Sequence, residues 1–330
     1  MIRKILITGS QGYIGSCAFE ILKKKYQVFG VDKNKVIELN KQKNFYKLDL
    51  LDYKKTFLLI QKINPDLVIH LAGESTIDNI SKKKKYIDNN VEVTKNLIKA
   101  INQLKIANII FSSTAAVYGK NLNIITENSK LKPSNIYGKT KLKCEDLIKK
   151  EIDHKYSNYI IFRFFNVCSS LKKEKVGEGH SPETHLIPIM INKILKSKLV
   201  KIYGNKFNTS DGTCIRDYVH IRDIITGFQK AIKFLDKDQK SDIFNLGTGK
   251  GFSVLTMVKS LNSIFHNKQV KYLILKKRKG DVSKLVCSFK KAKKKLSWYP
   301  KHSEVKKILL DEIYWQKLNY KNFINRKFKY

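Results

Sequence analysis

The chain has 330 residues, 42% of them apolar, with a formal net charge of +38 from 66 Lys and Arg against 28 Asp and Glu. That length supports one large domain or two coupled ones with a well-buried core. Only six basic residues are Arg, and the Lys runs at 82–85 and 293–295 lack interleaved aromatics, so the charge reads as compositional bias over solvated faces, not as a dedicated nucleic-acid surface.

The first predicted element is a strand at 4–8. A glycine-rich turn follows, then an amphipathic helix at 15–24. Further strands are predicted at 27–31, 45–48, 67–71, 108–112 and 159–164, with a second amphipathic helix at 90–103. Strands alternating with helices predict a parallel sheet covered on both faces. After about Asn166 the pattern loses regularity, and a helix near 304–317 closes the chain. The expected organisation is a nucleotide-binding domain over 1–166 and a mainly substrate-binding domain over 167–330. Segments near 217–228 and 243–246 are expected to return to the first domain. No apolar run is long enough to span a bilayer, and no signal-like segment precedes the first strand. A cytoplasmic protein with no membrane partner is expected. Cys17, Cys144, Cys168, Cys214 and Cys287 are scattered and form no CxxC pair, which argues against a disulfide framework and a metal site.

Gly9, Gly12 and Gly15 fall three apart between the first strand and its helix. Such glycines tighten the turn and let backbone N–H groups and the helix N-terminus approach a pyrophosphate. Asp32 ends the next strand, where a carboxylate accepts hydrogen bonds from an adenosine ribose diol and disfavours a 2′-phosphate. NAD is therefore the expected cofactor, on a doubly wound sheet of Rossmann type with a smaller C-terminal α/β domain. Tyr13, Ile14, Lys33 and Asn34 belong to the same expected contact set.

Tyr137 and Lys141 stand at i and i+4, on one face of a helix. A nearby ammonium and the positive nicotinamide ring favour a phenolate, so Tyr137 is expected to ionise well below its ordinary value. That phenolate can take a hydroxyl proton. Thr114, just past the fifth strand, can hydrogen-bond the same hydroxyl. Ala115 and Ala116 follow it and offer no acid or base for eliminating water.

These features resemble the extended short-chain dehydrogenases/reductases. Four further blocks narrow the resemblance to the UDP-glucose 4-epimerases: the run 211–220 (DGTCIRDYVH), Arg163-Phe164-Phe165-Asn166, the run 181–188 (SPETHLIP) and Arg278-Lys279-Gly280-Asp281. The resemblance implies reversible C4 epimerisation of UDP-glucose and UDP-galactose through transient oxidation, with catalysis by Thr114, Tyr137 and Lys141. It assigns cofactor contacts to Asp49, Leu50, Leu71, Ala72, Gly73, Asn89 and Phe165. It assigns UDP-sugar contacts to Asn166, His185, Leu186, Lys201, Tyr203, Arg216, Arg278 and Asp281. Arg suits a diphosphate better than Lys because its planar fork binds two oxygens. A homodimer paired through the helices near 90–103 and 137–152 is also implied. The chain departs from the family pattern at Glu74-Ser75-Thr76, where a Lys is common, and at Ile136, where Pro is common. Leu285 is intermediate in size at the position that tunes acceptance of N-acetylated sugars. UDP-N-acetylhexosamines, UDP-pentoses and a non-catalytic NAD- or RNA-binding role stay open as alternatives.

Overall fold

Strand β1 (Lys4–Thr8) buries Ile5, Leu6 and Ile7 without alternation, as a strand covered on both faces requires. The computed structural model describes residues 1–34, 44–75, 83–120, 123–179, 183–266, 270–278 and 280–327. Of the motif positions named above, Thr76, Lys82, Ser181, Pro182 and Lys279 lie outside these residues.

Strands β2 (Gln27–Asp32), β3 (Phe45–Lys47), β4 (Leu67–His70), β5 (Asn108–Thr114) and β6 (Asn158–Phe164) join β1 in one sheet, with a last strand at Asp242–Leu246. The order is Asp242–Leu246, β6, β5, β4, β1, β2, β3, and every pairing is parallel. The 243–246 segment therefore returns to the sheet beside β6. Ile5 and Ile7 face one core with Phe19, Leu22 and Phe228. Leu6 faces the other, with Ile60, Leu97, Cys144 and Ile148. This period-two division of one apolar run is what a doubly wound sheet needs.

Helix α1 (Tyr13–Leu22) follows β1, and α2 (Tyr53–Ile63) lies between β3 and β4. Asp52 caps α2 by accepting the Lys55 N–H, and Asn64 ends it in the left-handed conformation. The helix predicted at 90–103 begins as a π-turn at Ile87–Glu92, after α3 (Lys83–Tyr86), and becomes α-helical in α4 (Val93–Gln103). Helix α5 (Ile136–Glu151) opens on Asn135, whose side chain accepts the Gly138 N–H at 2.8 Å. Strand β5 runs to Thr114, two residues beyond the expected end.

A separate core joins the helices Leu186–Leu195, Val254–Ile264 and Val305–Lys327 through Met190, Met257, Ile308 and Leu309. A parallel pair of strands, Val200–Tyr203 and Tyr272–Leu275, flanks it. The strand Ile215–Arg216 pairs with Lys284–Leu285, setting Leu285 opposite Arg216. All five cysteines are free thiols. Among the described residues no helix is long and apolar enough to cross a membrane.

Candidate active site

The strand order reverses between β1 and β4, whose carboxyl ends therefore splay into a crevice. His70 bridges the split. Its Nδ1 lies 2.8 Å from Thr8 Oγ1 and its Nε2 3.1 Å from Thr94 Oγ1. Burial, with the Lys141 charge, pushes its pKa down to about 3, so it serves as a neutral strut.

Above it lies a cleft of 700 Å³ lined by Gly9, Gly12, Tyr13, Asp32, Lys33, Asn34, Asp49, Leu50, Leu71, Ala72, Gly73 and Asn89. Its floor needs glycine. Gly9 has φ +66°, and a Cβ on Gly15 would fall 2.1 Å from the Gly9 oxygen. Gly12 precedes α1 with no side-chain cap, leaving the first helical N–H groups for an anion. The Asp32 carboxylate accepts the Gln11 N–H at 3.1 Å and the Asn34 N–H at 3.0 Å. These features fit a dinucleotide: a glycine cradle for the pyrophosphate, with a carboxylate at the ribose end.

A second cleft of 310 Å³ shares Gly9, Gly12, Tyr13 and Gly73 with the first and contains Ile14, Gly15, Thr114, Tyr137, Lys141, Phe165, Asn166, His185 and Leu186. Tyr137 lies beside Thr114, whose hydroxyl acts to lower its pKa. The approach of α5 depends on Gly138, where a Cβ would meet the Ala116 oxygen at 2.6 Å. Lys141 Nζ donates to the Ser112 carbonyl at 2.8 Å and lies 4.7 Å from the Phe111 ring centre.

The electrostatics correct the expectation for Tyr137. Burial pushes its pKa up to about 12, against a lowering by the Thr114 hydrogen bond. The ammonium of Lys141 is directed at Ser112, and burial holds Lys141 down to about 8. The protein groups thus keep Tyr137 as a phenol. The positive nicotinamide ring, the second expected cause of ionisation, would act against that burial.

The remaining predicted residues gather beyond these clefts. The Arg278 guanidinium lies over the Tyr203 ring at 4.0 Å. Arg216 donates to the carbonyls of Val282 and Ile215 and stands 3.9 Å from Asp281. Lys201 is exposed on the same strand as Tyr203. None of these five lines either cleft. Leu285 is buried with Phe165, Ala115 and Tyr118.

Several cleft residues escaped the sequence reading. Gln11, Ser16, Glu74, Ser75, Lys85, Gly177 and Gly179 all line the first cleft. Glu74 pairs with Lys85 at 2.5 Å, and Lys33 donates to Asn89 at 3.0 Å. The Gly-Glu-Gly run at 177–179 was the available signal for that wall. His185 Nδ1 lies 2.5 Å from Glu178 and 3.0 Å from Glu183. These three side chains could together reach a metal ion. Burial opposes charge on His185, but the two carboxylates prevail and raise its pKa to about 10, so the imidazolium supplies the cation there.

Residues 5–247 match the family described as NAD dependent epimerase/dehydratase. A UDP-glucose 4-epimerase of Lactobacillus helveticus is 34% identical over 97% of this chain and 99% of its own length. A UDP-glucose 4-epimerase of Stenotrophomonas maltophila, solved with NAD and formylated UDP-arabinopyranose, superposes with TM-score 0.90 at 26% identity, covering 98% of this chain and all of that one. The Bifidobacterium longum enzyme, solved with NAD⁺ and UDP, gives 0.88 at 29%, covering 96% and 99%. The shared fold, the glycine cradle and these full-length likenesses lead to one conclusion: the chain belongs to the NAD dependent epimerase/dehydratase family.

Proposed function

We propose that the protein interconverts UDP-galactose and UDP-glucose by NAD-dependent epimerisation at C4, as a step of galactose and nucleotide-sugar metabolism. The observation that carries this is the meeting of Thr114, Tyr137 and Lys141 in a cleft continuous with the glycine cradle, beside Ala115 and Ala116, which offer no acid or base for eliminating water.

Tyr137 takes the proton of the C4 hydroxyl and Thr114 holds that hydroxyl in line. Bound NAD supplies the acceptor and later the donor of the C4 hydride. Lys141 fixes the nicotinamide ribose. Phe165 packs beside the ring. The 4-keto sugar turns over while Arg216 and Arg278 keep the diphosphate in place, and Tyr203 lies on the uracil. Asn166, His185, Leu186, Lys201 and Asp281 complete the UDP-sugar contacts. Residues 1–166 then act as the cofactor domain and 167–330 mainly as the sugar-nucleotide domain. Two copies pair through the helices at 87–103 and 136–151, so sedimentation should return twice the chain mass of 38.3 kDa.

Purified protein given UDP-galactose should form UDP-glucose without consuming NAD. A panel including UDP-pentoses and UDP-N-acetylhexosamines ranks the substrates. Tyr137→Phe should lower kcat by roughly 10²–10⁴; a variant with near wild-type turnover sinks the mechanism.

A further inference from the structure

Glu145 and Arg163 form a fully buried ion pair, with side chains 0% and 2% exposed. Arg163 Nε donates to Glu145 Oε1 at 3.0 Å and Nη2 to Oε2 at 2.7 Å. Such a fork is a directional lock, and a buried pair is costly to keep. Its neighbours indicate its use.

Glu145 lies one helical turn beyond Lys141, which lies one turn beyond Tyr137. Three consecutive residues of β5 engage this stripe. The Ser112 carbonyl accepts from Lys141, Ser113 Oγ donates to Glu145 at 2.5 Å, and the Thr114 hydroxyl acts on Tyr137, lowering its pKa. Arg163 is the register partner of Ser113 on β6 and of Asn245 on the next strand. Its Nη1 donates to Tyr118 OH at 2.8 Å, and that hydroxyl donates to Asn245 at 2.7 Å. One row across three strands therefore grips one carboxylate of α5.

We propose that Glu145 and Arg163 are positioning residues, holding α5 in the register on β5 that brings Tyr137 to Thr114 and Lys141 to Ser112. Burial lowers Lys141, and Cys144 and then Glu145 act against that lowering. The other titratable groups around Lys141 are Tyr137 and Cys144 on α5 and His70 on β4, and Tyr86 of α3 acts on Tyr137. Burial raises the Cys144 thiol and keeps His70 neutral. Of the two groups that raise Lys141, Glu145 is the one locked in place, by Ser113 and Arg163.

This proposal rests on the epimerase reading for its turnover assay, and a second measurement frees it from that dependence. Three variants are compared with wild type: Ser113→Ala, Glu145→Gln and Glu145→Asp. Thermal melts report the folded fraction of each. Ser113→Ala should lower kcat by roughly 10-fold or more at unchanged KM, the loss of one hydrogen bond to a charged carboxylate. Glu145→Gln should lower kcat further and move the alkaline limb of the rate profile to lower pH. Glu145→Asp, which keeps the charge, should restore that limb. Competitive acetylation of Lys141, read by peptide mass spectrometry across pH, follows its titration without turnover. Its midpoint should fall by about one pH unit in Glu145→Gln and stay near wild type in Glu145→Asp. Wild-type kcat in folded Ser113→Ala and Glu145→Gln, losses that merely track unfolded protein, or an unmoved acetylation midpoint each overturn the proposal. A wild-type protein with no turnover on UDP-galactose overturns the epimerase reading instead, and the acetylation midpoint still decides this one.

Discussion

The Lys141 ammonium donates to the Ser112 carbonyl at 2.8 Å, which ties helix α5 to the strand that carries Thr114. Burial of that ammonium gives the site an upper pH limit. Burial lowers Lys141 to about 8, so it is charged below that pH and neutral above it. Turnover of UDP-galactose should therefore fall as pH rises through about 8. Lys141→Met should remove the limb along with most of the activity. A flat profile to pH 10 in wild type would mean that the Lys141 charge is not needed.

Gly15 tests the cofactor cradle. A Cβ there meets the Gly9 oxygen at 2.1 Å and Ser10 Cα at 2.9 Å, both backbone atoms. Gly15→Ala should cost roughly 1–3 kcal/mol of stability through overpacking. It should also weaken NAD binding at least about tenfold, or 1.4 kcal/mol. Gly179→Ala is the control, because a Cβ there meets nothing within 4 Å and should leave the melting temperature unchanged. Thermal melts and NAD titration measure both.

The same two regions show what the sequence revealed and what it withheld. Gly9, Gly12, Gly15 and Asp32 were legible because a strand-to-helix turn around a pyrophosphate demands fixed residue types at fixed spacing. The seven-strand sheet was legible for a similar reason: runs such as Ile5-Leu6-Ile7 are apolar on both faces. The Tyr137 environment was not legible. The i,i+4 spacing puts Lys141 on the right face, but spacing says nothing of where the ammonium points, and it points at a carbonyl. The meeting of Glu178, Glu183 and His185 was equally hidden, since their sequence spacing does not show that the three side chains converge. The grip of Arg163 on Glu145 needs the register of β5, β6 and the last strand, and no local pattern reports that register.

Glu312 gives a stability prediction. It is 0% exposed, and burial, with repulsion from Glu178 and Glu183, raises its pKa to about 8. In the unfolded chain it ionises near the ordinary carboxylate value of about 4.3. Between these values the folded state binds more protons than the unfolded state, so this group lowers stability as pH rises. Glu312→Gln removes the cost of ionisation. Its melting temperature relative to wild type should climb by a few degrees from pH 5 to pH 8 and level off above. A difference independent of pH would show that Glu312 ionises normally in the fold.

Asp32 tests cofactor choice. Both of its oxygens are already engaged by backbone N–H groups, those of Gln11 and Asn34, so the carboxylate shapes the loop in addition to the ribose contact proposed for it. Asp32→Asn would turn an NH₂ toward one of those donors, leaving two donors face to face. Asp32→Ser is the cleaner variant, since it removes the charge without adding a long donor. It should weaken NAD roughly 10- to 100-fold, equivalent to about 1.4–2.7 kcal/mol. NADP should suffer less. Its 2′-phosphate no longer meets a negative charge, and the neighbouring Lys33 ammonium, held by Asn89 at 3.0 Å, can turn toward it. The measured quantity is the ratio of the two dissociation constants, from parallel titrations of NAD and NADP. A ratio unchanged from wild type would mean that Asp32 orders the loop without reading the ribose.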